Sequence, residues 1–327
     1  METLPMEFTE IVDPTQFNQI ALQTFHFQYE HNSTYRSYCD LLNFNPSDLK
    51  NISDIPFLPI GFFKTHAIQS FSGKPQLTFT SSGTTKENFS KHHLSNMTNY
   101  SKSFNTAFQQ FYGAPENWVI LALLPSYLER EGSSLIHMMQ SLIEQSNHTE
   151  SGFYLNDFEK LNETLRSLEK TKTPCLLLGV SFALIDFAER FPQQFKSTIV
   201  METGGMKGRR EEITREALHK KLQNGFGVSE IHSEYGMTEL LSQAYSKGNG
   251  RFQSPPWMRI AAYEINDPFS KTSEGKIGRL NIIDLANQES CAFIATDDLG
   301  RVYSDHSFEV LGRLDQSDIR GCNLLVY

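Results

Sequence analysis

No apolar run in this 327-residue chain approaches the roughly 20 residues that a membrane-spanning helix requires. The longest candidates, such as Val119–Leu124, fit single buried strands. The N-terminal segment from Met1 to Phe8 lacks both a basic region and a continuous apolar stretch, which excludes a secretory signal and points to the cytoplasm. Without export, triplets such as Asn88-Phe89-Ser90 and Asn96-Met97-Thr98 read as chance rather than as glycosylation sites. No CxxC pair occurs, and Cys39, Cys175, Cys291 and Cys322 lie far apart, as expected of free thiols in a reducing compartment. Basic charge is also short: 29 Lys and Arg against 38 Asp and Glu give a net charge of −9, which argues against nucleic acid as the main partner. The balance leaves ATP open, because a local nest of donors holds phosphate on an acidic protein. No Walker motif and no HExxH is present, and His92-His93 are adjacent and point differently. Gly179-Val180-Ser181-Phe182-Ala183 is similar to a hydrolase nucleophile elbow but lacks the second glycine.

What the chain does have is core material. Apolar residues make up 39% and aromatics 12%, with 25 Phe, enough for one large domain or two. The first 70 residues predict short helices and loops, with Ile55–Ile60 held extended by its prolines. Met97, Tyr100, Ser101, Phe104, Ala107, Phe108 and Phe111 recur at helical spacing. Strands at 119–124, 175–180 and 197–201 alternate with helical patterns at Leu135–Ile143, Asp157–Lys170, a helix capped by Ser181 that runs to Phe191, and the charged stretch Arg209–Leu222. This βαβα order predicts an α/β fold with a mainly parallel sheet and helices on both faces. Beyond about residue 257 only strand patterns follow: Met258–Ile265, Lys276–Asp284, Cys291–Thr296 and a hairpin over Gly300–Leu311. The expected organisation is therefore one large domain over 1–327, an α/β core to about 256 and a β-rich subdomain over about 257–327.

Four motifs carry chemistry. Thr80-Ser81-Ser82-Gly83-Thr84-Thr85-Lys86 follows a short strand-like run and surrounds one glycine with hydroxyls. Such a loop aims several donors at one point, which suits phosphate. It is followed, in order, by Tyr235-Gly236-Met237-Thr238-Glu239, Thr296-Asp297-Asp298 and Gly312-Arg313-Leu314-Asp315. Joining a carboxylate to AMP needs positioning and neutralisation of phosphate charge, and these motifs offer parts for each task. Ser81, Ser82, Thr84 and Thr85, with the backbone around Gly83, suit phosphates; Glu239 suits Mg²⁺, which takes oxygen ligands. Asp298 can accept both ribose hydroxyls, and Arg313 can reach ribose or phosphate. Each has a plainer reading: a structural turn at 81–85, a solvated carboxylate at Glu239, a turn residue at Asp298. Lys207 and Arg209 belong to a solvated helix face or reach a nucleotide.

These motifs resemble the core motifs of the adenylate-forming superfamily, and within it the chain resembles the LuxE-type acyl-protein synthetases of bacterial bioluminescence. Ile55–Pro59 with Phe62–Thr65, Leu124–Arg130 with Ser133-Ser134-Leu135, Glu202-Thr203-Gly204-Gly205 and Arg320-Gly321-Cys322 extend the match from about residue 55 onward. The resemblance implies the N-terminal-domain architecture of those enzymes, parallel sheets flanked by helices with a β-rich last third, and ATP and Mg²⁺ as cofactors. It implies adenylation of a fatty acid, transfer to a cysteine near the C-terminus, here Cys322, and delivery to a reductase or other acyl-acceptor protein such as an acyl carrier protein. It puts Thr238 and Glu239 in the catalytic set, and Gly204, Gly205, Tyr235 and Gly236 at the nucleotide, with Tyr235 lining the adenine pocket. Lys86 stands where the superfamily usually has glycine, and Asp297 replaces another. The small C-terminal domain, with its adenylation lysine, is expected to be absent. These departures motivate the alternative of a non-catalytic nucleotide- or acyl-binding subunit of a biosynthetic complex.

Overall fold

The computed structural model describes residues 7–81, 89–125, 132–204 and 213–314. Helix α1 (Pro14–His31) is capped by Asp13, whose side chain accepts from Thr15 N and Gln16 N, with Pro14 in the first turn. At 18 residues it exceeds the short helices expected in this segment. Phe17, Ile20, Ala21, Thr24, Phe25 and Gln28 form its buried face at helical spacing, and the polar residues between them face outward. Phe25 packs edge-on against Tyr35, Phe44 and Phe293, and burying an aromatic of that size contributes roughly 1.5–3 kcal/mol. Helix α2 (Ser33–Leu41) is capped by Asn32. After β1 (Leu58–Pro59) and α3 (Phe62–Thr65), the strands β2 (Leu77–Thr80) and β3 (Lys91–Leu94) pair as an antiparallel hairpin. The hydroxyl-rich loop is thus strung between two hydrogen-bonded strands. Its base is closed by Ser81 N donating to Ser90 O and Ser90 N donating to Ser81 Oγ.

Helix α4 (Thr98–Tyr112) leads into the parallel half of the molecule. Strand β4 (Val119–Leu123), α5 (Ser134–Ser146), β5 (Gly152–Phe153), α6 (Phe158–Thr171), β6 (Cys175–Val180), α7 (Ser181–Arg190), β7 (Thr198–Thr203), α8 (Arg215–Phe226) and β8 (His232–Tyr235) follow in the expected alternation, with β5 and β8 added to the strands read from the sequence. Their strands lie side by side in the order β5-β4-β6-β7-β8, all parallel. Every residue of β4 and β6 is buried, which is why these strands read as unbroken apolar runs.

Two local expectations are corrected. Ser181 is not the cap of α7. Val180 takes that position, and Ser181 is the first helical residue, its Oγ turned to the neighbouring strand end, where it donates to Gly204 O at 2.6 Å with Glu202 at 3.3 Å. The charged helix begins at Arg215, capped by Thr214 Oγ1, and ends at the left-handed Gly227 rather than at Leu222. Residues 205–212 lie outside the described residues.

The sheet then changes sense. Strands β9 (Ala244–Ser246), β10 (Phe252–Gln253), β11 (Met258–Tyr263), β12 (Gly278–Asp284), β13 (Phe293–Val302) and β14 (Phe308–Arg313) are joined antiparallel in the order β8-β9-β10-β14-β13-β12-β11. With β1 pairing in parallel to β13, this gives one twelve-stranded sheet. The change from parallel to antiparallel falls between Tyr235 and Ala244. That segment carries the Gly-Met-Thr-Glu motif.

Candidate active site

The segment from Gly236 to Gln243 is irregular, so its backbone groups must find partners outside a ladder. Asp284, at the end of β12 and fully buried, supplies several. Its carboxylate accepts from Leu241 N at 2.8 Å, Ser242 N at 3.0 Å and Ser242 Oγ at 2.5 Å. Ser242 Oγ also accepts from Trp257 Nε1 at 2.9 Å and pairs with Ser103 of α4. Asn287 donates to Glu239 O and to Cys291 O, both at 2.9 Å, and meets His92 Nε2 through its oxygen at 3.0 Å. His92 Nδ1 in turn lies 2.8 Å from Thr238 O. Gln28 of α1 locks the supporting turn by donating to Asn287 O and Gln288 O and accepting from Ala292 N. Three distant parts of the chain therefore fix one loop.

His92 is enclosed, and burial pushes its imidazole down to about 4 in spite of the hydrogen bonds that favour the charged form. Because the folded state prefers the neutral ring, its contribution to stability is complete above the unfolded pKa near 6.5 and is lost as pH falls through about 4. The span is worth roughly 3 kcal/mol. Urea unfolding between pH 7 and 4 is expected to show a shallower acid limb in His92→Gln than in the parent. An unchanged slope would refute this assignment.

One cavity opens at the C-terminal ends of β7 and β8, the edge at which parallel sheets bind ligands. Thr80 and Ser81 approach it from the hairpin, and Ser133, Ser134, Leu135 and Met138 from the start of α5. Thr203 and Gly204 reach it from β7, Tyr100 from α4, and Glu234, Gly236, Met237, Thr238 and Gln243 from β8 and the loop after it. Two glycines leave room here, one through its backbone and one beside a side chain. Gly204 has a left-handed φ of +67°, and a Cβ on Gly236 would stand 2.6 Å from Glu234 Oε1.

Behind the cavity lies a pair of buried acids. Burial and the neighbouring Glu202 charge push the Glu234 carboxyl up to about 7, against the hydrogen bond it accepts from Thr203 Oγ1. Burial would raise Glu202 as well, but hydrogen bonding from His219 and the charge of Arg215, 3.2 Å away, hold it below the ordinary carboxylate value. The two neighbouring acids are thus kept in different protonation regimes, Glu202 ionised and Glu234 titrating near neutrality.

A second polar chain runs along the paired strands β13 and β14, where Asp298 and Arg313 are register partners. Arg313 Nε lies 3.1 Å from Asp298 Oδ1, and Tyr235 OH donates to Asp298 Oδ2 at 2.7 Å. The Tyr235 ring packs edge-on against Phe252 and Phe308. Asp297, on the other face, pairs with Arg279 at 2.6 Å. Glu239 is buried beside Ser90; burial raises its carboxyl pKa, against the Ser90 hydrogen bond and the charges of Arg313 and Lys64.

Of the residues singled out in the sequence, Ser81, Gly204, Gly236 and Thr238 line the cavity together. Tyr235, Asp298 and Arg313 form the adjoining chain, and Tyr235 points into the aromatic packing rather than into that cavity. Ser82, Gly83, Thr84, Thr85, Lys86, Gly205, Lys207, Arg209, Asp315 and Cys322 lie outside the described residues. Cys39, Cys175 and Cys291 are buried free thiols, and burial pushes all three pKa values up, Cys39 to about 12. They are inert as nucleophiles at neutral pH. Among the described residues no cluster of three or more His, Cys, Asp or Glu is arranged for a metal. Mg²⁺ held by one carboxylate, water and substrate phosphates needs no such cluster, and Glu239 beside the Ser90 hydroxyl is an all-oxygen donor set of that kind. His92, Glu234, Gln243, Asp284 and Asn287 escaped the sequence reading. The one local signal was Asp284, a charged residue at the end of the largely apolar strand pattern over 280–283.

The chain is 25% identical over 348 residues to the long-chain-fatty-acid–luciferin-component ligase of Aliivibrio fischeri, covering 98% of this chain and 90% of that protein. Its fold is shared with 2-hydroxyisobutyryl-CoA ligase in the postadenylation state, at a TM-score of 0.65 and 11% identity over 94% of this chain and 70% of that one. It is shared also with ATP-bound MatB from Rhodopseudomonas palustris, at a TM-score of 0.53 and 13% identity over 74% of this chain. The chain spans about half the length of MatB, 49% of it being covered. The expected α/β adenylate-forming architecture is therefore present. The family model described as acyl-protein synthetase, LuxE matches residues 1–327, and the chain belongs to that family.

Proposed function

We propose that this ligase uses ATP to convert a carboxylic acid into its acyl-adenylate and then passes the acyl group to a thiol. In the first step a carboxylate oxygen bonds to the α-phosphorus of ATP and pyrophosphate leaves. In the second a thiolate bonds to the acyl carbon and AMP leaves. The observation that carries this reading is the convergence of Ser81, Gly204, Gly236 and Thr238 on one cavity at the ends of β7 and β8. Family membership favours turnover over a nucleotide-binding subunit.

Ser81, at the root of the hydroxyl-rich loop, and Ser82, Gly83, Thr84 and Thr85 beyond it would hold phosphates. Thr238 and the Gly204 and Gly205 backbone would face the reacting carboxylate and phosphate. Asp298 has acceptor capacity left after Tyr235 and Arg313 are served, since a carboxylate offers about four lone-pair sites, and would take the ribose hydroxyls. Glu239 would hold Mg²⁺, whose contribution is neutralisation of phosphate charge. A fatty acid, as in the name of the Aliivibrio fischeri ligase, is the starting substrate class, and the cytoplasm the expected compartment. Among the described residues no helix is long and apolar enough to cross a membrane. The thiol is that of Cys322, of coenzyme A or of a carrier or reductase partner.

Mg²⁺-dependent pyrophosphate release with hydroxylamine as trap, across short, long and aromatic acids, tests the first step. Glu239→Gln is expected to lower release about a hundredfold and to weaken the apparent Mg²⁺ affinity. Unaltered Mg²⁺ dependence would remove Glu239 from the metal. A Cys322→Ala variant that still forms thioester would assign the acceptor to coenzyme A or a partner.

A further inference from the structure

The cavity wall next to Gly236 is built for a ligand with a hydrogen to give. Gln243 is 4% exposed, lines the cavity, and its side-chain oxygen has no hydrogen-bond partner among the described residues. Glu234 lies beside it: a Cβ placed on Gly236 would stand 2.6 Å from Glu234 Oε1 and 3.4 Å from Gln243 Cγ, so the two side chains meet across that glycine. The other Glu234 oxygen is already served by Thr203 Oγ1. Two acceptors thus share one patch of wall, and an orphaned buried acceptor is costly unless something donates to it. Leu135, Met138 and Met237 supply the apolar remainder of the cavity.

Resting on the adenylation reading, we propose that the acid this enzyme activates carries a hydrogen-bond donor, a hydroxyl or an ammonium group, on its acyl chain, and that Gln243 and Glu234 receive it. The carboxylate end faces the hydroxyl-rich side at Thr80 and Ser81, where the phosphates are to be held, and the donor end faces the Gln243–Glu234 wall. A plain alkyl chain would leave the Gln243 oxygen unpaired. A site built to hydrogen-bond a substrate OH or NH rejects the analogue lacking it far more strongly than an apolar pocket rejects a missing methylene.

The test is pyrophosphate release by the full chain with straight-chain, hydroxy-substituted and amino-substituted carboxylic acids of matched carbon number, read as kcat/KM. At least one donor-bearing acid is expected to exceed its plain counterpart by about tenfold or more. Gln243→Leu is expected to reduce that ratio to near unity, chiefly by improving the plain acid. Gln243→Glu keeps an acceptor and should shift preference toward the amino-substituted acids, which separates the two donor chemistries. Equal or better turnover of plain acids by the parent enzyme leaves adenylation standing and overturns this inference alone. No release with any acid removes adenylation, and the inference with it.

Discussion

Replacing Asp284 by alanine is expected to lower the free energy of unfolding by roughly 3–5 kcal/mol and to abolish pyrophosphate release. Two effects compete at this site. Burial raises the Asp284 pKa, so its charge is unfavourable where it stands, and removing it relieves that cost. Against this, the carboxylate satisfies Leu241 N, Ser242 N and Ser242 Oγ, and also Ala286 N at 3.2 Å. Each donor left buried and unpaired costs about 1–3 kcal/mol, and several such losses outweigh the relief of one buried charge. Activity should fall with stability because the Asp284 partners lie in the same loop as Thr238 and Glu239. Asp284→Asn keeps the shape and one acceptor, so it should fall between parent and alanine variant. Urea unfolding followed by the fluorescence of the chain's two tryptophans, one of them the buried Trp257, measures the loss directly. A loss below about 1 kcal/mol would mean that water replaces the carboxylate, and the loop would not depend on it.

Gly300→Ala is expected to be comparably severe, by at least about 3 kcal/mol, for a steric reason. A Cβ on Gly300 would overlap the Glu309 carbonyl oxygen on the paired strand and stand 2.8 Å from Leu280 Cδ1. The overlapped atom is backbone, so the β13–β14 ladder itself must open. That ladder is irregular here, with a register shift between Leu299 and Gly300, and beyond the shift it pairs Leu299 with Gly312 and then Asp298 with Arg313. Forcing the strands apart should therefore weaken ATP binding as well as the fold. Gly312→Ala is the matched control, because a Cβ there meets nothing within 4 Å and should change stability by less than about 0.5 kcal/mol. Thermal unfolding of the pair, with nucleotide titration of each folded variant, checks both halves. Equal stability of the two variants would show that the bulge absorbs the extra carbon.

The parts of the site legible in the sequence were those with local chemistry. A hydroxyl-rich loop after a strand, the Tyr-Gly-Met-Thr-Glu run and the acid–arginine motifs each have a plainer reading alone, and it is their order along the chain that carries the resemblance to the family. Strands β4 and β6 were equally legible, since strands buried on both faces are continuous in apolar residues. Helix α1 was understated because Asn, Gln and His dilute its apolar residues, although Phe17, Ile20, Ala21, Thr24 and Phe25 keep the spacing. Ser181 was read as a cap because only its own chain neighbours were visible, whereas its acceptors, Gly204 O and Glu202, belong to another strand.

The sequence by itself determined the alternation of strands and helices, because that rests on residue type and short-range spacing, and the reaction class, through the family resemblance its motifs carry. Only the tertiary structure decided what holds the Thr238–Glu239 loop still and which polar groups face the cavity. His92, Asp284 and Asn287 reach the Thr238–Glu239 loop from sequence separations of up to 146 residues, and Gln28 reaches the turn beneath it from 260 away. Gln243 and Glu234 become one acceptor wall only when β8 and the following loop fold past Gly236. A buried polar group acquires its meaning from the partners it finds or lacks, and those are set by the packing of the whole sheet.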